Sequence, residues 1–196
     1  MASIDTVAPF LKSYFNNKSI TCMEIGAQYG ESTQVLLNTL NIEKFIIIDP
    51  YEIYDEYNKD EFNKIMEVNG NDFYFNSIKS KFQQYNMEFI REYSNSPKAF
   101  NSIADKSLDL CFIDGNHEYE YVYNDIKIYL PKMKAGGIIC GDDYFMRHKD
   151  INMYPEKGYD RKMVYEAVQD YFKDTDYKIE EYGHHNGHAK TWLVKI

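Results

Sequence analysis

Short apolar segments alternate with longer amphipathic segments along this sequence of 196 residues. Several of the short segments, such as FIIID and LCFID, are almost entirely apolar, which is typical of strands that helices cover on both faces. Such an alternation of strands and helices predicts a parallel sheet whose crossover connections are right-handed. The segments that we interpret as strands are Ile20–Ile25, Phe45–Ile48, Met87–Arg91, Leu108–Ile113, Gly137–Cys140, Tyr177–Glu181 and Thr191–Lys195.

The end of the sequence departs from this alternation. The last two predicted strands are joined by the polar segment YGHHNGHAK, which leaves no room for a helix, so they should pair as an antiparallel hairpin. The prediction is therefore an α/β protein with a doubly wound, seven-stranded, mostly parallel sheet and a C-terminal antiparallel hairpin. The length fits one domain, which we place at residues 1–196.

Helical periodicity is clearest in three segments, which are Ser32–Leu40, Tyr119–Met133 and Arg161–Phe172. The connection between the second and third strands, Tyr51–Gln84, is longer than a crossover with one helix requires. Two helices are predicted within it, near Asp60–Val68 and Asn76–Tyr85. This connection is either a lid that forms part of an acceptor pocket or a more elaborate crossover.

The composition argues against two classes of partner. The formal net charge is −9 and Lys and Arg form no cluster, whereas proteins that bind nucleic acid usually present a basic face. No apolar run is long enough to span a membrane, and the segment MASIDTVAPFLKSYF lacks the pattern of a signal peptide. Cys22, Cys111 and Cys140 stand in predicted strands without disulfide or metal spacing, which favours buried, reduced thiols in a cytoplasmic protein.

A glycine-containing loop follows the first predicted strand. Its Gly26 and Gly30 allow a tight turn and a close approach of the next helix to the sheet. Asp49 ends the second strand, where an acid binds ribose hydroxyls in doubly wound folds. Gln28 stands where a pyrophosphate-binding loop needs a glycine, so a nicotinamide-dependent oxidoreductase is disfavoured. Glu24 adds a carboxylate that suits an ammonium group, and S-adenosylmethionine combines a ribose with an amino acid and carries no phosphate.

Two further motifs end the fourth and fifth predicted strands. They read Asp114-Gly115-Asn116-His117-Glu118-Tyr119 and Gly141-Asp142-Asp143-Tyr144. Together with the glycine loop, they make the chain, from Ile20 onward, resemble the class I S-adenosylmethionine-dependent methyltransferases, specifically a group of small single-domain members. The resemblance implies that the cofactor contacts are Glu24, Gly26, Ala27, Gly30, Asp49, Tyr93, Ser94 and Asp114. Among them, Asp49 is expected at the ribose, and Tyr93 and Ser94 are expected along the adenine.

Three acids, Asp114, Asp142 and Asp143, follow neighbouring strands and should converge at one edge of the sheet. Each like-charged pair at about 4 Å costs roughly 4 kcal/mol at an effective dielectric near 20. Protonation, nearby cations or a bound divalent metal must offset this repulsion, and oxygen ligands suit Mg²⁺, Ca²⁺ or Mn²⁺. The layout is similar to that of the catechol-type and macrolide-sugar O-methyltransferases, in which acids at these strand ends hold Mg²⁺.

The catechol-type enzymes carry a catalytic lysine three residues after the first of these acids, and His117 stands there in this chain. A neutral imidazole can accept the proton of a hydroxyl group, so His117 and Asp114 are the candidate catalytic residues. The predicted reaction is an in-line attack of an acceptor oxygen on the methyl carbon of the cofactor. The predicted acceptor is a small molecule such as a sugar, a phenol or a catechol. A structural role stays open as well, because Asp142 or Asp143 could cap the following segment and His117 could begin a helix.

Two other segments carry candidate residues. The charged segment 147–160 follows the fifth strand and is the candidate acceptor loop, with Arg147 and His148 as contacts to an acidic or sugar acceptor. The predicted hairpin carries His184, His185 and His188. These histidines either bind a metal or form a polar turn. A non-catalytic module of the same fold is a further alternative, and a homodimer is compatible with the sequence without being required by it.

Overall fold

Seven strands form one mixed sheet in the computed structural model, which describes residues 4–52, 61–70, 72–147, 162–185 and 188–196. The strands are β1 (Ile20–Ile25), β2 (Ile42–Ile48), β3 (Met87–Ile90), β4 (Leu108–Ile113), β5 (Met133–Gly141), β6 (Ile179–His185) and β7 (His188–Lys195). Their order across the sheet is β3-β2-β1-β4-β5-β7-β6. β1 to β5 run parallel to one another, and β7 pairs antiparallel with both β5 and β6. The predicted doubly wound sheet with its C-terminal antiparallel hairpin is confirmed.

Helices connect most of these strands. They are α1 (Ile4–Phe15), α2 (Glu31–Thr39), α3 (Glu61–Asn69), α4 (Asp72–Lys81), α5 (Pro97–Ser102), α6 (Tyr119–Tyr129) and α7 (Val164–Phe172), and a 3-10 turn at Leu130–Lys132 follows α6. Within the described ranges, every helix is too short or too polar to cross a membrane.

The chain reverses its direction of winding between β1 and β4. From β1 it proceeds to β2 and β3 on one side, and it then returns to β4 and β5 on the other side. Ile25 of β1 pairs in register with Ile113 of β4, so the loops that follow these two strands begin side by side. Ligands of open α/β sheets bind at such a reversal, at the carboxyl ends of the strands. The fold therefore places the Gly26 loop and the Asp114 loop at the expected ligand crevice.

The core consists of two apolar layers, one on each face of the sheet. Consecutive strand residues point to opposite faces, so Met23 and Ile25 enter one layer and Cys22 enters the other. The first layer packs against α5, α6 and α7, and the second packs against α1, α2 and α4. Helices on both faces explain why the strands are almost continuously apolar. Cys22, Cys111 and Cys140 are buried free thiols, as predicted.

Several predicted boundaries differ from those observed. α6 ends at Tyr129 rather than at Met133, because Pro131 lacks an amide donor and clashes with a continuing helix. β5 then begins at Met133 instead of Gly137, and its pairing with β4 contains a register irregularity. The two helices predicted in the long second connection are present as α3 and α4, although α4 begins and ends four residues earlier than predicted.

The helix α1 was not predicted from the sequence. Its apolar residues Ile4, Val7, Leu11 and Phe15 repeat at helical spacing and are buried in the layer that also contains α2. Pro9 stands inside this helix, and a proline inside a helical pattern usually indicates a break. Burial of the apolar stripe outweighs the hydrogen bond that Pro9 removes.

Candidate active site

The loop after β1 turns sharply and lies against the loop after β4. Gly26 has a φ of 82°, in the left-handed region, and its amide donates to the carbonyl of Ile48 at 2.9 Å. A Cβ atom at Gly26 would overlap the carbonyl oxygen of Asp114 and lie 2.6 Å from the Cα atom of Gly115. Both the backbone angle and the contact between the two loops therefore require glycine at this position.

Gly30 precedes α2 and marks a second close approach. Its φ is 71°, and a Cβ atom there would lie 2.7 Å from the ring of Phe82. Gly30 was expected from the sequence to bring the helix close to the sheet, but its close neighbour is Phe82, the residue that follows α4. Lys81 adds a hydrogen bond to the carbonyl of Gly30 at 3.3 Å. The end of the long second connection thus supports the glycine loop.

Glu24, near the end of β1, is fully buried and faces the first turn of α2. The hydroxyl groups of Ser32 and Thr33 each donate a hydrogen bond to one of its carboxylate oxygens. Burial raises the pKa of Glu24 to about 7, against the opposite effect of the two hydroxyl donors. The carboxylate links the strand to the helix, and its contact with the methionine part of the cofactor stays a prediction.

Asp49 directly follows β2 and is only 4% exposed. Its Oδ2 accepts hydrogen bonds from the backbone amides of Ala27 and Gln28, at 2.9 and 3.0 Å. Its Oδ1 accepts a hydrogen bond from the backbone amide of Tyr51 at 2.8 Å. Burial raises the pKa of Asp49, although the three amide donors act in the opposite direction. The carboxylate therefore holds the glycine loop in its turned conformation.

Ser94, after β3, is tied to α6. Its hydroxyl donates to Oδ1 of Asp125 at 2.5 Å, and its carbonyl accepts from the hydroxyl of Tyr129 at 2.6 Å. Asp125 is 2% exposed, and burial raises its pKa to about 7. Asp125 and Tyr129 were not predicted from the sequence, although an acid between the apolar positions Val122 and Ile126 of a helix indicates a buried polar contact. α6 thus sets the position of the loop that is predicted to lie along the adenine.

The buried Asp125 leads to a prediction about stability. Because its pKa is higher in the folded state than in the unfolded chain, the free energy of unfolding should fall as the pH rises from about 4 to about 7. Asp125→Asn keeps a carbonyl oxygen for Ser94 and removes the charge. We expect this variant to be about 2–4 kcal/mol more stable than the wild type at pH 8, and similar to it at pH 4.5, in urea unfolding.

The control for this prediction is Asp176→Asn, which changes an exposed aspartate. The control should follow the wild type at both pH values. A gain in stability for Asp125→Asn that is equal at the two pH values would mean that the charge of Asp125 is not its cause.

Asp114, His117 and Asp143 lie together at the carboxyl ends of β4 and β5. Nε2 of His117 lies 3.5 Å from Oδ1 of Asp114 and 3.4 Å from Oδ2 of Asp143. Burial disfavours the charged imidazole, but the carboxylates of Asp143 and Asp114 outweigh it and raise the pKa of His117 to about 9. Burial also raises the pKa of Asp114 to about 8. Protonation of His117, and of Asp114 itself, is therefore favoured at this edge of the sheet, and it offsets the repulsion expected among these acids.

Asp142 completes the predicted set of acids. It follows β5, and its carboxylate accepts a hydrogen bond from the backbone amide of Asp143. The structure thus brings the three acids and His117 to one edge of the sheet. Among the residues that the structure describes, no group of three or more His, Cys, Asp or Glu side chains is arranged to hold a metal ion. A metal bound by Asp114, Asp142 and Asp143 stays a prediction.

Arg147 lies beyond the acidic cluster, on the segment that follows β5. Its guanidinium group stacks 3.7 Å from the ring centroid of Tyr165, and that ring centroid lies 5.1 Å from the ring centroid of Tyr144. The start of α7 reaches the same region, because Met163 forms an isolated β-bridge with Glu118 of the fourth-strand motif. These contacts place Arg147 beside the first turn of α7.

Part of the sequence prediction falls outside the described residues. This applies to His148 and the rest of the candidate acceptor loop up to residue 160, and to the side chains of His185 and His188. His184 is described and exposed. A metal site at the hairpin therefore stays untested.

The architecture now defines a class of protein. A doubly wound sheet with an antiparallel hairpin at one edge, a glycine loop without the pyrophosphate pattern and acids after β4 and β5 are the features of the class I methyltransferase fold. A family model described as a methyltransferase domain matches residues 23–144, which is more than half of the chain. The chain belongs to this family, and it is a methyltransferase domain of the S-adenosylmethionine-dependent kind.

A curated sequence relative is the uncharacterized protein R132 of Acanthamoeba polyphaga mimivirus. It is 29% identical over 136 residues, which make up 68% of this chain and 56% of the relative. The chain therefore spans just over half the length of the curated relative that it matches.

Solved structures share the fold at low sequence identity. A protein from Corynebacterium glutamicum has a TM-score of 0.62 at 15% identity, covering 96% of this chain and 79% of that chain. A candidate caffeoyl-CoA O-methyltransferase from Staphylococcus aureus has a TM-score of 0.55 at 17% identity, covering 96% and 82%. The N-methyltransferase NodS from Bradyrhizobium japonicum, in complex with S-adenosyl-L-homocysteine, has a TM-score of 0.55 at 8% identity, covering 95% and 82%. At these identities the likeness establishes the fold alone.

Proposed function

We propose that this protein transfers the methyl group of S-adenosylmethionine to a hydroxyl group of a small molecule, such as a sugar, a phenol or a catechol. One observation carries the proposal, namely the contact between the two loops at the reversal of the sheet. The Gly26 turn lies against the backbone of Asp114, whose side chain faces His117. A cofactor bound along the glycine loop would therefore have its reactive end beside the acidic cluster.

The chemistry requires an in-line approach of the acceptor oxygen to the methyl carbon, breakage of the bond between that carbon and the sulfur so that S-adenosylhomocysteine leaves, and removal of the hydroxyl proton. Holding both reactants in position can remove about 7–11 kcal/mol of the barrier. His117 is the proposed base. Only its neutral form can take the proton, and the carboxylates of Asp114 and Asp143 stabilise the imidazolium that results.

A divalent cation is the second part of the proposal. Asp114, Asp142 and Asp143 offer only carboxylate oxygens, which is the ligand type that Mg²⁺ and Mn²⁺ prefer. A cation held by these three side chains would increase the acidity of an acceptor hydroxyl. A second positive charge near His117 would also lower the pKa of His117, which favours the neutral imidazole that a base requires.

Recognition of the acceptor is the third part. We assign to Arg147 the contact with an acidic or sugar group of the acceptor. A guanidinium that stacks on an aromatic ring, as this one does on Tyr165, keeps its in-plane N–H donors directed outward, where a carboxylate or hydroxyl can accept them. His148 is proposed as a second contact from the sequence alone.

The test of the proposed function combines binding with turnover. Calorimetry should show micromolar binding of S-adenosylhomocysteine, and Asp49→Ala, which leaves the loop amides unpaired, should weaken it by about tenfold or more. Methyl-labelled S-adenosylmethionine is then incubated with catechol, 3,4-dihydroxybenzoate and glucose, each with Mg²⁺ or with EDTA. We expect the label on an oxygen of the acceptor, with faster transfer in Mg²⁺ and a lower KM for the acidic catechol.

Each failure in this test has its own meaning. If the wild type does not bind S-adenosylhomocysteine, the methyltransferase proposal is wrong. Equal turnover in Mg²⁺ and in EDTA removes the cation from the proposal and leaves His117 as its catalytic group. Cofactor binding without turnover of any hydroxyl compound supports the alternative of a non-catalytic S-adenosylmethionine-binding module.

A further inference from the structure

The backbone of Asp143 is held in an uncommon conformation. Its φ of 52° lies in the left-handed region, which few residues other than glycine adopt. Its carbonyl accepts a hydrogen bond from the amide of Met146 at 2.8 Å, so the chain turns directly after β5. A residue in this region keeps its conformation only where the surrounding contacts fix it. The position of the Asp143 carboxylate, 3.4 Å from Nε2 of His117, therefore depends on the contacts of the residues that follow.

Tyr144 makes these contacts. It is fully buried, and its backbone amide donates to the carbonyl of Lys190 in β7 at 3.0 Å. Its hydroxyl accepts a hydrogen bond from Nε2 of Gln169 in α7 at 2.6 Å. The residue is thus fixed through both its backbone and its side chain. Because Tyr144 directly follows Asp143, the hydrogen bond from Gln169 restricts the turn that carries this acid.

The next residue of α7 makes a corresponding contact with the fourth-strand motif. Oδ2 of Asp170 accepts a hydrogen bond from the hydroxyl of Tyr119 at 3.1 Å and another from Nζ of Lys162 at 2.7 Å. Tyr119 begins α6, two residues after His117. Nζ of Lys162 also lies 4.9 Å from the centroid of the Tyr119 ring. Two consecutive side chains of α7 therefore each hold one of the two loops that carry the acidic cluster.

We propose that α7 fixes the distance between His117 and Asp143 through these two hydrogen bonds, and that Gln169 and Asp170 are positioning residues for the methyl transfer. This assignment rests on the proposed function. α7 lies beyond residues 23–144, which the family model matches, so the α7 side of each contact is outside that match. A base and a carboxylate on two separate loops keep their separation only if a common element holds both loops. Misplacement by about 1 Å can cost about 100-fold in rate.

The test removes one hydroxyl group at a time. Tyr144→Phe and Tyr119→Phe each delete one of the two hydrogen bonds and keep the ring. The assay uses methyl-labelled S-adenosylmethionine, Mg²⁺ and whichever of catechol, 3,4-dihydroxybenzoate and glucose the wild type methylates fastest. We expect kcat to fall by about 10- to 100-fold in each variant. The affinity for S-adenosylhomocysteine in calorimetry should stay within about twofold of the wild type, because both hydroxyl groups bond to α7 rather than to the glycine loop.

A comparison in the His117→Gln background separates positioning from a general loss of structure. If α7 acts by placing Asp143 against His117, the addition of Tyr144→Phe to His117→Gln should lower kcat by less than about threefold further. An equal loss in the presence and in the absence of His117 would overturn the assignment. Gln169→Glu offers the Tyr144 hydroxyl an acceptor in place of a donor, so it should recover most of the kcat that Gln169→Leu loses.

Tyr182→Phe is the matched control, because the hydroxyl of Tyr182 also donates to a carboxylate, that of Glu180 at 2.9 Å, but lies on β6. It should keep the wild-type kcat. Fluorescence of Trp192, which is fully buried and is the only tryptophan of the chain, checks that each variant folds. If Tyr144→Phe does not fold, Tyr119→Phe carries the test, and an unchanged kcat in it would overturn the inference. Absence of any methyl transfer by the wild type would overturn the proposed function instead, and with it this assignment.

Discussion

Replacement of Gly26 by alanine is expected to weaken cofactor binding strongly while the chain still folds. The φ of 82° costs a residue with a Cβ atom about 1–2 kcal/mol. The new methyl group would also overlap the carbonyl of Asp114 and lie 2.6 Å from Cα of Gly115, and an extra carbon in packed surroundings costs about 1–3 kcal/mol. One of the two loops must therefore move. Because the turn presents the amide of Ala27 to Asp49, the movement would disturb the whole cofactor loop.

We expect the affinity for S-adenosylhomocysteine to fall by at least about 100-fold in calorimetry, which corresponds to about 2.7 kcal/mol. Gly136→Ala is the matched control. Gly136 has a φ of 75°, and no atom of the described residues lies within 4 Å of the position that its Cβ atom would take. The Gly136→Ala variant therefore has a similar backbone cost but creates no clash. It should lower the Tm and leave the affinity for S-adenosylhomocysteine unchanged. Equal affinity in the two variants would show that the contact between the loops does not shape the cofactor site.

The sheet could be predicted because periodicity is a local property of the sequence. Strands buried on both faces must be apolar at nearly every position, and a short polar connection forces the last two strands into a hairpin. The boundaries that differed depend on contacts that are distant in sequence. β5 begins early because it pairs with β4 from Met133 onward and because the amide of Gly136 donates to the carbonyl of Ile196.

The site could be predicted only as far as backbone position determines it. Parallel strands bring their carboxyl ends to one edge, so the convergence of Asp114, His117 and Asp143 followed from the motifs. The partner that each side chain selects depends on rotamers and burial, which periodicity does not encode. For this reason the attachment of Glu24 to the first turn of α2 and of Asp49 to the glycine loop became visible only in three dimensions.

The sequence predicted that something must offset the repulsion among the acids, but it did not identify which group does so. The sequence required protonation, a nearby cation or a metal to offset the repulsion among the acids. In the structure Nε2 of His117 lies within 3.5 Å of Asp114 and Asp143, and these carboxylates raise its pKa, which favours the imidazolium. An imidazolium and a divalent cation at this position serve the same electrostatic purpose. The two compete for the same carboxylates, so cation binding to Asp114 and Asp143 should be accompanied by release of a proton from His117.

Replacement of His117 by glutamine is expected to slow methyl transfer by about 10²- to 10⁴-fold, the usual contribution of a positioned base, with little change in affinity for S-adenosylhomocysteine. The pH dependence provides a second readout. Because Asp143 and Asp114 raise the pKa of His117 to about 9, its neutral form is the minor one at pH 7. Turnover of the best acceptor by the wild type in EDTA should therefore increase as the pH rises from about 7 to about 9. The variant should lose this increase.

Two further variants separate a base from a simple counter-charge. His184→Gln changes an exposed histidine of the hairpin and should keep the wild-type rate and pH profile. His117→Lys restores a cation next to Asp114 and Asp143 and supplies an amine that can also accept a proton, so it should recover part of the turnover. If His117→Gln keeps the rate and the pH profile of the wild type, then His117 only neutralises the acids. The proton of the acceptor must in that case leave to another group, such as the carboxylate of Asp143, which lies 3.4 Å from Nε2 of His117.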